Sequence, residues 1–234
     1  HQCIRTNWLD GVYINLEADS GIGDKWGMRT LPFVSLLTLG LCHGLMSKTI
    51  YVDDNASAGG DGTSWETAYK YLQDALADVN ASDEIWVAEG TYKPDQGAGK
   101  TAGDRTVSFN LVNGVGIYGG FTGTETTRQP LGDGNQTILS GEIDSNSTLW
   151  SIHVVRGDGL DASTVMDGFR ITKGNANGND DYGYGGGMYN ISSSPTLTNC
   201  VFTGNSASRG GGGMYNNAFQ GQLSTCGVCN LFMI

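Results

Sequence analysis

Positive charge is what this chain has least of. Against 24 Asp and Glu stand 13 Lys and Arg, giving a formal net charge of −11 over 234 residues. No basic patch interrupts that balance, which excludes the electrostatic footprint of a nucleic-acid binder. Histidine is scarcer still, with three residues, His1, His43 and His153. Cys226 and Cys229 form a lone CxxC with no second pair and no His nearby, whereas zinc needs about four ligands. No Gly-x-Ser-x-Gly elbow occurs, and no glycine run is followed by Lys-Ser/Thr, so neither a serine hydrolase nor a phosphate loop is supported. The apolar run from Leu31 to Leu41 is too short to span a bilayer.

Glycine, by contrast, is abundant, at 37 residues, and it is patterned. Gly185-Gly186-Gly187-Met188-Tyr189-Asn190 returns as Gly211-Gly212-Gly213-Met214-Tyr215-Asn216, a spacing of 26 residues (214 − 188). Leu197 matches Leu223 and Cys200 matches Cys226 at the same offset. Such a period signals stacked similar units. A helical unit is excluded, because each interior glycine costs about 1 kcal/mol and three in succession prevent a helix from forming. Short alternating strands joined by Gly/Asn/Ser turns describe a β-solenoid instead. Its layers would stack Met188 on Met214, Cys200 on Cys226 and Asn190 on Asn216. Cys200-Val201-Phe202 reads as a strand with Cys200 and Phe202 on one face. Phe169-Arg170-Ile171 reads as its equivalent one layer earlier.

GGGMYN followed by Phe202-Thr203-Gly204-Asn205 resembles the GGA[I/L/V] and FxxN tetrapeptides of polymorphic outer-membrane protein repeats. Tyr51-Val52-Asp53-Asp54-Asn55-Ala56 with Asp61-Gly62-Thr63-Ser64-Trp65 is similar to the opening of secreted β-helix proteins of planctomycete-type bacteria. The resemblance covers roughly residues 49–216. It implies an all-β, right-handed parallel β-helix of the pectate-lyase-like kind, and no particular activity. Carbohydrate-active enzymes share that scaffold, but their Gly-His-Gly and Arg-Ile-Lys signatures are absent here. Arg170-Ile171-Thr172 departs from the second at its last residue.

In chain order, residues 1–27 show no link to the repeat and are expected to lie outside the mature protein. Met28-Arg29, the apolar run and the small or polar residues to Ser47 have the anatomy of a secretory signal peptide over 28–47. The β-helix domain is expected over 48–234. Thr49 to Val52 is a first strand. Thr63 and Glu66 stand at capping-box spacing, and Tyr69, Leu72, Leu76 and Val79 follow at helical spacing. An amphipathic helix over about 66–79 therefore caps the open end of the stack, where strand edges need cover. After about residue 217 the pattern decays, as expected of a truncated or frameshifted C-terminus.

Candidate chemistry is confined to a few places. Asp180 and Asp181 lie in a four-residue insert that lengthens one layer, with Tyr182 and Tyr184 adjoining, an aromatic and acidic loop suited to holding sugar. Asp53, Asp54 and Asp61 form oxygen-rich loops of the kind calcium accepts; no other cofactor is implied. His153, between Ile152 and Val154, faces opposite to both and reads as a surface or turn-proximal residue. Cys200 reads as an inward packing residue, with a Cys200–Cys226 disulfide open to an exported chain. The expectation is a secreted or cell-surface (outer-membrane) protein without a transmembrane helix in its mature chain. Its role is structural, adhesive or glycan-contacting, toward an extracellular polysaccharide or another surface protein. The alternative is a polysaccharide lyase or glycoside hydrolase on the same fold.

Overall fold

Alternation of apolar and polar residues sets the architecture. The computed structural model describes residues 47–128, 136–143 and 148–217. In chain order they form β1 (Thr49–Val52), α1 (Leu72–Asp78), β2 (Glu84–Ala88), β3 (Gly90–Tyr92), β4 (Phe109–Asn110) and β5 (Gly116–Phe121). Then come β6 (Thr137–Ser140), β7 (Val155–Asp158), β8 (Val165–Asp167), β9 (Phe169–Thr172) and β10 (Asn175–Ala176). A short 3₁₀ turn (Asp180–Gly183) precedes β11 (Met188–Ile191), β12 (Thr196–Thr198), β13 (Val201–Thr203), β14 (Ser206–Ala207) and β15 (Met214–Asn217).

The strands pair in parallel and in steps of one layer. Three sheets result, ordered β1-β2-β5-β8-β12, β4-β7-β11-β15 and β3-β6-β9-β13, with a two-stranded pair β10-β14. Register aligns one inward residue per strand into columns. Ile50, Ile85, Ile117, Met166 and Leu197 form the first. Phe109, Val155, Met188 and Met214 form the second. Tyr92, Leu139, Ile171 and Phe202 form the third. All three converge on one core. Each fully buried Ile, Leu, Phe or Met contributes about 1.5–3 kcal/mol, so the columns are the main adhesive between layers. The chain is thus mostly β, with one α-helix and parallel sheets, an arrangement compatible with an all-β parallel solenoid.

The 26-residue register holds where it is described: Met188 pairs with Met214, Tyr189 with Tyr215, and Asn190 with Asn216. Asn190 Nδ2 donates to Asn216 Oδ1 at 2.8 Å, the expected amide ladder. The repeated glycine triplets have a steric cause. Gly185 and Gly211 sit at φ +63° and +65°, where a side chain is strained. A Cβ at Gly187 would collide with the Gly213 carbonyl of the next layer.

The helix differs from expectation. It spans Leu72–Asp78, not 66–79, and its N-cap Tyr71 makes no side-chain capping bond. The chain before it is recruited by β1: Tyr69 N–H donates to the Tyr51 carbonyl and Asp53 N–H to the Tyr69 carbonyl, both at 2.9 Å. Thr63 is tied instead to Asp61 through its amide and hydroxyl. Parallel pairing at Tyr69 thus overrides the capping box. The expected segment 1–27, the expected signal peptide 28–47 except its last residue, the Cys226 and Cys229 positions and the decaying C-terminus lie outside the described residues.

Candidate functional site

The second sheet carries its chemistry on the outer face. Met188 points inward from β11, so Tyr189 points out, in register with Arg156 on β7 and Tyr215 on β15. The Tyr189 and Tyr215 rings are stacked, with centroids 5.9 Å apart and planes within 8°. Just before β7, the His153 ring lies 4.9 Å from that of Tyr189, at 16°. Three rings of three successive layers therefore form one stack.

The four-residue insert folds over this stack. Its 3₁₀ turn is closed by Tyr182 N–H donating to the Asn179 carbonyl and Tyr184 N–H to the Asp181 carbonyl. Asp180 enters the turn at φ +51°. Arg209 N–H to the Gly183 carbonyl and Gly185 N–H to the Gly210 carbonyl fasten the turn to the following layer. Tyr182 comes to lie 6.2 Å from His153, and Tyr184 stacks on Tyr215 at 4.4 Å. Tyr182 is 49% exposed, the one large apolar side chain so exposed among the described residues.

Of the two alternatives for His153, surface or turn-proximal, the structure overturns the first: the insert covers His153, which is 3% exposed. Its Nδ1–H donates to the Gly185 carbonyl at 3.0 Å. Burial holds its pKa below the ordinary 6.5, against the opposing pull of the Gly185 carbonyl and the Asp181 charge. Burial likewise raises the Tyr189 phenol, and Asp181 adds to that rise. The site at neutral pH is a neutral imidazole under tyrosines, edged by the exposed carboxylate of Asp181. Aromatic faces take up the apolar face of a ring, and a carboxylate accepts hydroxyl protons.

Of the residues picked from sequence, Tyr182, Tyr184 and Asp181 gather here. Asp180 stands exposed at the turn's start, with no side-chain bond among the described residues. Tyr189, Tyr215 and His153 were missed as site residues. The signal was present, since Tyr recurs beside Met in both copies of the repeat and alternation places it outside when Met is inside.

The acidic loops do not converge. Asp53 Oδ1 accepts the Asn55 amide, Asp54 Oδ2 the Thr91 amide, and Asp61 Oδ1 the Thr63 amide and hydroxyl. Hydrogen bonds from Thr67 and Thr63 hold the Asp61 carboxyl down at about 2. Among the described residues no group of three His, Cys, Asp or Glu is placed to hold a metal ion; Asp53 and Asp61 each tie a local turn, and Asp54 reaches across to β3. Cys200 is a buried free thiol. Among the described residues no helix is long and apolar enough to cross a membrane. Comparison with protein-family models, with curated proteins and with solved structures gives no match.

Proposed function

We propose that this chain is a right-handed parallel β-helix of the cell surface or its surroundings, with a structural or adhesive role exercised through glycan contact. Parallel sheets in register around one core support the β-helix. The observation that carries the glycan reading is the aromatic stack of the second sheet. Tyr182 and Tyr184 are laid over His153 and Tyr215, with Asp181 at the rim. Burying His153 and Tyr189 fixes the platform rigidly, so little side-chain entropy is lost when a sugar ring settles on it. Partners of matching chemistry are extracellular polysaccharides and glycosylated surface proteins.

Electrophoresis of the folded chain through gels containing neutral polysaccharides tests this. Retardation is expected, and it should be abolished in a Tyr182→Ala, Tyr184→Ala double variant that melts like the parent. Equal mobility with and without polysaccharide would dismiss the glycan reading. Release of new reducing ends, lost in Asp181→Asn, would move the chain to the carbohydrate-active enzymes.

A further inference from the structure

Away from the aromatic stack, a cavity of about 230 Å³ opens between the start of α1 and β3. Its floor is apolar: Leu72 and Tyr92 are each 2% exposed. Its rim is lined by Asp54, Lys70, Tyr71, Thr91, Lys93 and Gln96. In a chain with nearly two acids for every base, two lysines around one small cavity are a local reversal of sign.

The two lysines are held differently. Lys70 Nζ donates to the Asp54 carbonyl at 2.8 Å and the Ala56 carbonyl at 3.2 Å, which leaves one of its three protons. The Lys93 ammonium makes no hydrogen bond or ion pair among the described residues, and the residue as a whole is half-buried. An ammonium without a counterion attracts an anion. Asp54 is fixed by the Thr91 amide at 2.9 Å and by its own amide donating to Tyr92 Oη at 3.2 Å. Tyr92 Oη donates in turn to the Ala88 carbonyl at 3.1 Å. Gly90, at φ +152°, makes room for this, since a Cβ there would strike the Asp54 carboxylate at 2.5 Å.

The charges of the rim sum to +1 (two lysines less one aspartate). That sum suits a singly charged anion, while a phosphate dianion would face Asp54. Asp54, Thr91, Gln96 and Tyr71 supply acceptors and donors for hydroxyl groups. The volume falls below the roughly 300 Å³ at which drug-sized pockets begin, so it accommodates one ring rather than a chain. We infer that this cavity binds a sugar acid as a single residue, its carboxylate at Lys93 and Lys70 and its hydroxyls at Asp54 and Gln96. The inference is independent of the aromatic stack.

Calorimetric titration of the full chain with sodium glucuronate, glucose, acetate and inorganic phosphate is the test. Glucuronate should bind at least about tenfold tighter than each of the other three. Lys93→Met should cost about tenfold in glucuronate affinity without shifting the melting temperature, because the Lys93 ammonium makes no hydrogen bond or ion pair among the described residues and the substitution leaves the Gln96 N–H to Lys93 carbonyl bond in place. Binding should also weaken between about 0.01 and 0.1 M salt, as the screening length falls from about 30 to 10 Å. The inference is overturned by undetectable glucuronate binding at about 10 mM, by glucose, acetate or phosphate binding as tightly, or by an unaffected Lys93→Met protein.

Discussion

At the scale of single residues, burial decides the chemistry. Cys200 Sγ lies in the core, 3.5 Å from the Met166 carbonyl, and burial pushes its thiol pKa up to about 11. At pH 8 almost no thiolate is present, so Cys200 should escape alkylation in the folded protein and react fully once unfolded. Peptide mapping after iodoacetamide treatment reads this directly, and labelling of native Cys200 would contradict it. Replacing Cys200 by Asp places an unpaired charge in the buried core and should cost several kcal/mol. Thr203→Asp, on the outer face of β13, should stay within about 0.5 kcal/mol. His153 carries a pH signature of its own. Its folded pKa lies below the unfolded 6.5, so on acidification the unfolded chain takes up the proton first. Stability should therefore be level above pH 6.5 and fall as pH drops from there toward the folded pKa. Urea midpoints of the parent and of His153→Phe across that range should diverge; parallel curves would sink the assignment. The sequence allowed Met188 and Met214 to be placed because alternation and period both constrain them. His153 was misread because alternation states which side of a sheet a residue faces, and not that an insert thirty residues later covers that side.

Elements were legible where strands obeyed their own pattern and less so where pairing partners competed. β1, β9 and β13 lie where alternation places them, and Arg170 pairs with Val201 as the matched motifs require. The helix was overextended because Tyr69 satisfies helical spacing and strand pairing equally well, and the open edge of β1 is the stronger claimant. A contact invisible in the sequence fixes the helix that remains. Gln73, 5% exposed, donates from Nε2 to the Pro94 carbonyl at 2.6 Å and the Ser108 carbonyl at 3.0 Å. It joins α1 to the loop after β3 and to the lead-in of β4. Gln73→Ala leaves two carbonyls without that donor and should cost about 1–3 kcal/mol. The shift of the denaturant midpoint at constant m-value measures it, and a loss below about 0.5 kcal/mol would show that water replaces the amide freely. A second feature escaped sequence reading for a related reason. Tyr51, Trp86, Tyr118 and Phe121 cluster with Trp65 on the outer face of the first sheet, with Trp86 and Phe121 stacked at 4.8 Å. Each looks like an ordinary strand residue, and only register brings them side by side.

At the scale of the whole molecule, mechanics turns on how the first described edge of the sheets is covered. β1 covers β2, pairing Ile50 with Ile85 and Val52 with Val87. α1 packs against β1 and β4. Asp54 binds the Thr91 amide at the edge of β3. One short segment thus covers β2 and also touches β4 and β3, the first strands of the other two sheets. Removing residues 1–80 would strip Ile50, Val52, Leu72 and Leu76 from the core, at about 1.5–3 kcal/mol each for full burial. Part of that loss is offset, because the deleted residues no longer have to be ordered. The bare strand edges have no such compensation: β2 and β4 would present unpaired amides and carbonyls flanked by apolar side chains, a template for another chain. The truncated protein should therefore associate in proportion to its concentration while its remaining layers keep their β circular dichroism. Sedimentation velocity over a hundredfold range of concentration separates the possibilities. A monomer that melts like the full chain would mean that β1 and α1 are ornament. Collapse of the β signal at every concentration would mean that the segment nucleates the layers rather than covering them.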